Sequence, residues 1–480
     1  MNAEQEECRM KILVFGTGNE YQKYGKWLGN EDIVALLDND IKKQGTVIGN
    51  IPVVSPQKAK FFSVDRIYIM SSLYVQEMTE QLVNVGIPEE KIYYLFDLFE
   101  LGIEYKVPDF VLPAEGKSKK KIALLSDNLQ LSGAQFALLN MAISLKKNGY
   151  FSMIASPESG KLRNYIRLAD IPLMIDERLR IGKMRDIEWL EEFDLIIVNT
   201  VLNYHLLLDR NINKPTIWWL HETEYFYRLI VFEKVKKIDS RNLYIYAVSN
   251  LARQPLLEIR KDFHVGDLFV YVKEDVGRYE KAIKDKKKVI IAVIGVVCEL
   301  KGQDILLNAL DLLKEEENGK IEIWMIGRED TDFIKKYGNI IERHRNVRKF
   351  GELGKEDLKK LYKEIDVIAC VSRSENLCMA VLEGAEHNIV PIVSTAAAIA
   401  DYFVDGSDGI IFQSEDVKEL AEKIRWCIEN TDRLPDMGKR AHDVYEKRFS
   451  EEVFERDLLR AIRKAWDLCT IKKNTYSQNL

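Results

Sequence analysis

Two glutamates separated by seven residues, Glu375 and Glu383, lie in the stretch that most clearly suggests chemistry. An apolar run before Glu375 predicts a buried strand, and apolar residues at helical spacing predict a helix from Asn376 to His387. The first turn of a helix offers unpaired N–H groups and a partial positive charge, which suit a phosphate. A carboxylate on each side of that phosphate could bind the hydroxyl groups of a sugar and of a ribose. The pattern favours a sugar-nucleotide site, although two glutamates alone are more typical of an ordinary helix.

Three further residues stand where predicted strands meet loops. His221 follows a strand in the middle of the chain, and α/β sheets bind ligands at such strand ends. Lys301 lies in a strand-to-helix loop, where an ammonium group can neutralise a diphosphate. Gly133 opens a helix after a strand, where the backbone can come close to a ligand. A structural histidine, a solvated lysine and a plain turn are the alternatives.

The elements that must position these residues form an alternating series of strands and helices, which predicts parallel α/β sheets. A chain of 480 residues is too long for one core, and its composition of 46% hydrophobic and 30% charged residues is ordinary for a globular protein. We predict an α/β domain, a linker, two further α/β domains and a closing helix with a tail. Their predicted bounds are 1–106, 107–120, 121–278, 279–446 and 447–480.

The first domain carries a glycine turn, Gly16–Gly18, after its first strand, and Asp38 follows its second strand. Glycines permit the close approach of a phosphate, and an acid at this separation can bind a ribose. Tyr21 occupies the place of the third glycine, so this nucleotide-binding fingerprint is incomplete. A tight turn without a ligand is therefore the alternative to a nucleotide site in this domain.

The bulk composition argues against several classes of protein. A formal net charge of −6 argues against nucleic-acid binding. The cysteines are scattered without a Cys-x2-Cys pair, so neither a zinc site nor a disulfide framework is indicated, and a reducing cytoplasm fits. The acidic start is not typical of a signal peptide, and no apolar run is long enough to span a membrane. Basic clusters at 117–121 and 146–147 would suit an anionic membrane surface or simply face solvent.

Several short motifs follow one another between about residue 120 and residue 460. They are Ser132-Gly133-Ala134-Gln135, His221, Lys301-Gly302, Ser372-Arg373-Ser374-Glu375, Glu383-Gly384-Ala385 and Val390-Pro391-Ile392-Val393-Ser394. The set resembles retaining glycosyltransferases with a GT-B fold, above all glycosyltransferase family 4. This resemblance implies an α/β fold of two facing Rossmann-like domains, with the acceptor on 121–278 and the donor on 279–446. The last helix would cross back to the acceptor domain, and 1–106 would be an additional small Rossmann-like domain, similar to those before bacterial sugar-modifying enzymes.

The resemblance also assigns roles to individual residues. The catalytic residues would be Glu375, which positions the sugar, His221, which contacts the sugar or a phosphate, and Lys301, which stabilises the leaving diphosphate. Glu383 would bind the ribose. The other donor-binding residues would be Gly133, Asn376, Leu377, Cys378, Gly295 and Arg328. The resemblance implies no metal or cofactor, because Lys301 and the helix would stabilise the leaving diphosphate in place of a metal.

The implied reaction moves a hexose from a nucleoside diphosphate sugar, with UDP the favoured nucleotide, to a hydroxyl group with retention of configuration. The acceptor would be a glycan, a glycolipid or a protein, in the synthesis of bacterial surface glycans or glycoconjugates. The expected location is the cytoplasm. Peripheral contact with the inner face of the membrane and association into homo-oligomers are left open, and no nucleic-acid partner is expected.

Two departures from the family pattern keep other functions open. Val296 stands where the family has an arginine that holds the diphosphate, and Asn376-Leu377 replaces a glycine and a phenylalanine. Arg328 or Arg373 could supply the missing charge. The alternative function is a non-catalytic, sugar-nucleotide-binding partner subunit of a glycosyltransferase complex. A GT-B epimerase or phosphorylase is a third, although a phosphorylase would need a pyridoxal-phosphate lysine that we do not find.

Overall fold

The computed structural model describes residues 9–29, 31–71, 74–95, 120–272 and 288–477. The chain forms two compact units. The first comprises Met1–Ile245, Pro255–His264 and Ala465–Leu480, and the second comprises Tyr246–Gln254 and Val265–Lys464. Apart from Lys120, the predicted linker at 107–120 lies outside the described residues.

The N-terminal sheet has six strands in the order β3-β4-β2-β1-β5-β6. Its strands are β1 (Lys11–Phe15), β2 (Asp32–Leu37), β3 (Val47–Ile48), β4 (Ile51–Val54), β5 (Arg66–Ile69) and β6 (Ile92–Tyr94). Neighbours pair in parallel, except for β3 and β4. Helix α1 (Asn19–Tyr24) follows β1, and α2 (Val75–Asn84) follows β5. The apolar run of β1 is buried, as expected for a central parallel strand. The sheet agrees with the predicted Rossmann-like domain.

A second sheet has seven strands in the order β13-β12-β11-β10-β7-β8-β9. They are β7 (Lys121–Leu125), β8 (Phe151–Ser156), β9 (Leu173–Ile175), β10 (Leu195–Asn199), β11 (Thr216–Leu220), β12 (Leu243–Ala247) and β13 (Val265–Asp267). The five strands from β11 to β9 pair in parallel. The helices are α3 (Gly133–Lys147), α4 (Arg163–Leu168), α5 (Arg178–Ile181), α6 (Glu224–Tyr227), α7 (Phe232–Lys236) and α8 (Asn250–Ile259).

A third sheet has six parallel strands in the order β16-β15-β14-β17-β18-β19. They are β14 (Val289–Ile294), β15 (Ile321–Ile326), β16 (Val347–Gly351), β17 (Val367–Cys370), β18 (Val390–Ser394) and β19 (Ile410–Phe412). The helices are α9 (Gln303–Asp311), α10 (Glu315–Asn318), α11 (Thr331–Arg343), α12 (Lys355–Tyr362), α13 (Met379–Glu386), α14 (Val417–Glu429), α15 (Leu434–Arg448) and α16 (Glu451–Ser477). The predicted α/β class with parallel sheets is confirmed.

The strand order of the second and third sheets reverses at a point that matters for ligand binding. In the third sheet β14 lies between β15 and β17, and in the second sheet β7 lies between β10 and β8. The loops that leave the carboxyl ends of two strands at such a switch point border a crevice, where open α/β sheets bind ligands. Ligand sites are therefore expected at the loops after β14 and β17 in the third sheet, and at the loops after β7 and β10 in the second sheet.

One predicted element is corrected by the structure. The helix predicted from Asn376 to His387 begins at Met379, with Cys378 as its N-terminal cap. Asn376 and Leu377 instead lie in the loop before the helix. The side chain of Asn376 accepts a hydrogen bond from Ser249, and this tertiary contact holds the residue in the loop.

Candidate active site

Two loops of the second unit meet at the switch point of its sheet. We call them the lysine loop (residues 295–302, after β14) and the glutamate loop (residues 371–378, after β17). The backbone N–H of Arg373 donates to the carbonyl oxygen of Leu300 at 2.9 Å. Gly302 has a φ of +71°, and a Cβ there would lie 2.1 Å from the carbonyl oxygen of Val371. Because only glycine permits this contact, it fixes the two loops side by side.

Lys301 and Glu375 form an ion pair across these loops. The ammonium group of Lys301 donates a hydrogen bond to Oε2 of Glu375. Burial by itself would lower the pKa of Lys301, but the Glu375 carboxylate outweighs burial and raises the pKa above the ordinary lysine value. Their side chains are 32% and 17% exposed, so a ligand can reach both. Two predicted catalytic residues thus lie together, offering a cation for a phosphate and a carboxylate for hydroxyl groups.

Glu383 is half-buried on α13, and a neighbouring tyrosine holds it. The hydroxyl of Tyr362, on α12, donates to Oε2 of Glu383 at 2.5 Å. Burial, followed by the Glu383 charge, raises the pKa of Tyr362 well above its usual value, so the phenol remains a donor. The Tyr362 ring stacks on His387 with centroids 4.7 Å apart. This pair could not be predicted, since a sequence pattern does not show which carboxylate a buried tyrosine contacts.

The remaining predicted residues of the glutamate loop are buried rather than presented in a helical turn. Oδ1 of Asn376 accepts a hydrogen bond from the Ser249 hydroxyl at 2.6 Å, and that hydroxyl oxygen accepts one from the N–H of Ala252 at 3.1 Å. Leu377 is 6% exposed and Cys378 is 9% exposed, so neither presents much side-chain surface to a ligand. The N–H groups of the first turn of α13 begin after Cys378. A phosphate would therefore meet that turn rather than Asn376.

Gly295 and Arg328 lie in adjacent turns, after β14 and β15. A Cβ on Gly327 would lie 1.9 Å from the Gly295 carbonyl oxygen, and the N–H of Val297 donates to the Arg328 carbonyl at 2.9 Å. Arg328 is exposed, and its guanidinium group makes no hydrogen bond or ion pair with the residues that the structure describes. Arg328 thus follows β15, the neighbour of β14, and Val296 in the loop after β14 stands where the family pattern has an arginine.

Arg373, the other candidate for the missing charge, is already engaged. Its guanidinium group donates to both carboxylate oxygens of Asp304 at 2.8 and 2.7 Å, and to Glu415 at 2.8 Å. Such a bidentate pair holds the side chain firmly in place. Arg373 therefore braces the glutamate loop, and Arg328 is the better candidate for a contact with a ligand.

His221 lies at the carboxyl end of β11 in the first unit. Its ring meets Trp219 edge to face, with centroids 4.3 Å apart. Burial lowers the pKa of His221 to about 3, so the imidazole is neutral near pH 7. A neutral imidazole can hydrogen-bond a hydroxyl or a phosphate oxygen without carrying charge.

Beside His221 lies a pair of acids, Glu222 and Asp127, that no motif in the sequence indicates. Oε2 of Glu222 accepts hydrogen bonds from the N–H groups of Val201 at 2.8 Å and of His221 at 3.1 Å. Burial and then the Asp127 carboxylate raise the pKa of Glu222 to about 7. Asp127 follows β7 and accepts from the Gln135 amide at 2.9 Å. Burial raises its pKa as well.

Gly133 is the exposed first residue of α3, in the same unit as His221. The first turn of α3 holds Gln135, the donor to Asp127, so the predicted motif at 132–135 does border the switch point of the second sheet. The predicted residues thus fall into two groups. Those of the lysine and glutamate loops belong to the second unit, and His221 with Gly133 belongs to the first. Within the described ranges, no group of three or more His, Cys, Asp or Glu is arranged to hold a metal ion.

Three family matches divide the chain in the same way as its sheets. Residues 8–93 match the family C2185-like, N-terminal. Residues 117–249 match Glycosyl-transferase family 4, and residues 278–444 match Glycosyl transferases group 1. The last two matches contain the sites around His221 and around Lys301, respectively.

Individual relatives agree with these matches. The capsular polysaccharide biosynthesis glycosyltransferase CapH of Staphylococcus aureus is 30% identical over 169 residues, which cover 34% of this chain and 46% of CapH. The D-inositol 3-phosphate glycosyltransferase of Nocardia farcinica is 21% identical over 159 residues, covering 32% of this chain and 35% of the relative. The chain thus spans less than half the length of these curated relatives.

Solved structures give the fold. The structure of HepE from Anabaena in complex with UDP and glucose superposes with a TM-score of 0.61 at 16% identity, covering 72% of this chain and 100% of HepE. A glycosyltransferase from Rickettsia africae superposes with a TM-score of 0.59 at 17% identity, covering 72% of this chain and 99% of the other. The sheets and these likenesses show the GT-B fold, preceded by an additional Rossmann-like domain, and residues 117–249 and 278–444 carry the matches to glycosyltransferase families.

Proposed function

We propose that the protein is a retaining, metal-independent hexosyltransferase that uses a nucleoside diphosphate sugar, with UDP as the favoured nucleotide. The observation that carries the proposal is the Lys301–Glu375 pair at the switch point of the second unit's sheet. The UDP and glucose named in the HepE structure support this donor class. The acceptor would be a hydroxyl group of a surface glycan, glycolipid or protein, as the likeness to CapH suggests.

The donor diphosphate would lie between Lys301 and the first turn of α13. Lys301 supplies a full positive charge and the helix supplies backbone N–H groups, so charge on the departing phosphate is stabilised without a metal. Glu375 would exchange its ion-pair partner for hydroxyl groups of the sugar. Glu383, held by Tyr362, would bind the ribose hydroxyls. Arg328 would add a second cation in place of the arginine that Val296 replaces.

The transfer step needs no nucleophile from the protein. The bond between the anomeric carbon and the phosphate oxygen breaks, while the acceptor oxygen bonds to the same carbon on the same face. The proton of the acceptor hydroxyl passes to the departing phosphate. His221, neutral because burial lowers its pKa to about 3, would hydrogen-bond the sugar or a phosphate.

We propose a cytoplasmic location, with peripheral contact to an anionic membrane surface. Among the described residues, no helix is long and apolar enough to cross a bilayer. One lysine of the basic clusters, Lys146, is bound to Asp170 at 2.7 Å, which reduces the charge available to lipids. Retention on vesicles of acidic lipids at low salt would support the contact, and equal behaviour on neutral vesicles would remove it. We also propose that the protein can associate into homo-oligomers and that it has no nucleic-acid partner.

A panel of UDP-sugars and other sugar nucleotides tests the proposed donor. A bound donor raises the melting temperature by mass action, and transfer is then measured with the stabilising donor. The replacement of the family arginine by Val296 favours the alternative of a non-catalytic, sugar-nucleotide-binding partner subunit. Donor binding without transfer to any hydroxyl acceptor, and without donor hydrolysis, would establish that alternative. A melting temperature unchanged by every sugar nucleotide would contradict both.

A further inference from the structure

The N-terminal domain, residues 9–95, docks on a first segment of the family 4 domain, residues 176–187, which follows β9. The Tyr24 hydroxyl donates to Glu177 at 2.9 Å, and Lys23 pairs with the same carboxylate at 2.7 Å. Ile181, at the end of α5, is 1% exposed and packs in the core of the N-terminal domain, with Ile12 and Val14 among others. A shared core of this kind makes the contact part of the fold.

A second segment, residues 224–236, follows β11 and meets the same domain. The backbone N–H of Gln76 donates to the Arg228 carbonyl at 3.0 Å, and the Gln76 side-chain oxygen accepts from the N–H of Phe232 at 3.4 Å. The ammonium group of Lys234 lies 5.6 Å from the centre of the Tyr94 ring. Gln76 lies in the first turn of α2, which follows β5, and Tyr94 ends β6. The carboxyl ends of these two strands therefore face the second segment.

Both docked segments contact one further stretch, the 3-10 turns Val201–Leu207 after β10. Nε2 of His205 lies 3.1 Å from the carbonyl oxygen of Leu179 in the first segment. The hydroxyl oxygen of Tyr204 accepts a hydrogen bond from the N–H of Val231 in the second segment at 3.3 Å. The stretch is thus braced from two sides by segments that the N-terminal domain holds.

The same stretch leads directly to the acids beside His221. Its first residue, Val201, donates its N–H to Glu222 at 2.8 Å, and Glu222 also accepts from the N–H of His221 at 3.1 Å. The second segment carries Tyr227, which is 2% exposed and interacts electrostatically with Glu222. A continuous set of contacts therefore joins the N-terminal domain to the environment of His221.

The candidate nucleotide site of the N-terminal domain is filled by its own residues. The carboxylate of Asp38 accepts hydrogen bonds from the Thr17 hydroxyl, from the N–H of Asp40 at 2.9 Å and from Lys43 at 3.1 Å. Burial would raise the pKa of Asp38, but these partners outweigh burial and lower it. The acid is ionised and satisfied internally, so it serves the turn after β1 rather than a ribose.

We propose that the N-terminal domain is a positioning element for the acceptor side of the transferase, rather than a second nucleotide-binding domain. It holds the two segments that brace Val201–Leu207 and thereby fixes Glu222 and His221. The acceptor role of this region rests on the proposed function, whereas the mechanical coupling does not.

Amide hydrogen exchange of the full chain tests the coupling. Ile181→Ala removes apolar contact from the docking core, and Ile187→Ala is the matched control, since Ile187 is 0% exposed in the same segment but lies outside that core. We expect Ile181→Ala to raise exchange at 201–207 and 224–236 by about tenfold or more relative to the control, because loss of docking permits local opening.

Two outcomes would separate the proposals. Equal exchange at 201–207 and 224–236 in the two variants would overturn the positioning role, whatever the activity. If the wild type binds no sugar nucleotide while Ile181→Ala and Ile187→Ala still differ in exchange, the proposed function is overturned and the coupling remains. As a second variant, Glu177→Gln removes the charge that pairs with Lys23, and a smaller increase at the same sites is expected without loss of the fold.

Discussion

At the residue scale, Glu222 has a pKa far above that of a glutamate in water. It is 7% exposed, and burial followed by the Asp127 charge raises its pKa from 4.5 to about 7. Between these values the folded protein keeps a proton that the unfolded chain has lost, so this group's contribution to stability falls as pH rises. Glu222→Gln cannot ionise and keeps an acceptor for both N–H groups. Relative to wild type, the variant should gain stability from about pH 5 to about pH 8, by at most roughly 3 kcal/mol.

Thermal or urea unfolding of wild type and variant at a series of pH values measures this difference. His221 and His205 have pKa values that burial lowers to about 3 and about 4, and they titrate in both proteins, so their opposite contribution cancels. Glu224→Gln, which changes an exposed glutamate of α6, is the control for the substitution itself. A flat difference for Glu222→Gln would show that this acid is ionised like any other.

Tyr362 supports the second prediction at this scale, because its hydroxyl holds the carboxylate that should bind the ribose. Tyr362→Phe removes a hydrogen bond to a charged group, which is worth about 1.5–3 kcal/mol. Affinity for UDP should fall by roughly tenfold, while affinity for pyrophosphate, which has no ribose, should not change. Calorimetric titration measures both. Tyr337→Phe, in α11 of the same unit, is the control, and equal losses for UDP and pyrophosphate would refute a role through Glu383.

At the element scale, the contact between the lysine and glutamate loops depends on Gly302. Gly302→Ala would place a Cβ 2.1 Å from the Val371 carbonyl oxygen at a φ of +71°. Gly406→Ala is a matched control, since Gly406 has a φ of +74° and open space around it. Both variants carry the left-handed backbone cost, but only Gly302→Ala must also separate two loops.

We expect Gly302→Ala to lose about 1–3 kcal/mol more stability than Gly406→Ala, which is the usual cost of forced overpacking. It should also lose UDP affinity, because the loops that carry Lys301 and Glu375 move apart. Chemical denaturation and UDP titration measure the two effects. If the two alanine variants are equally stable and bind UDP equally, the loop contact does not organise the site.

At the scale of the whole molecule, the sequence predicted the parts whose signal is local. The alternation of strands and helices predicted the α/β class, whereas the GT-B fold and the roles of Glu375 and Lys301 were implied by the resemblance of short motifs to family 4 glycosyltransferases. Contacts between distant residues could not be read in this way. Ser249 and Asn376 are 127 residues apart, and their hydrogen bond places the start of α13 three residues later than helical spacing predicts. Tyr362 and Asp127 were missed as site residues for the same reason.

The docking of the N-terminal domain also belongs to this scale. The glycine turn and Asp38 were readable as an incomplete nucleotide fingerprint. Only the folded arrangement shows that Thr17 and Lys43 satisfy the carboxylate of Asp38. Gln76 and Ile181 act as docking residues because of the shape of the two surfaces that meet, and surface shape leaves no periodic pattern in the sequence.

The most direct test of the central claim is calorimetric titration of UDP, with EDTA present, into wild type and Lys301→Met. Lys336→Met is the control, since Lys336 is an exposed lysine of the same unit that also pairs with a glutamate, Glu299. We predict that UDP binds the wild type and the control without a metal. The affinity of Lys301→Met for UDP should be roughly 100-fold lower, because removing one partner of a partly buried charge pair costs about 2–5 kcal/mol. Binding that Lys301→Met leaves unchanged, or no metal-free binding to wild type, would contradict a diphosphate site on Lys301.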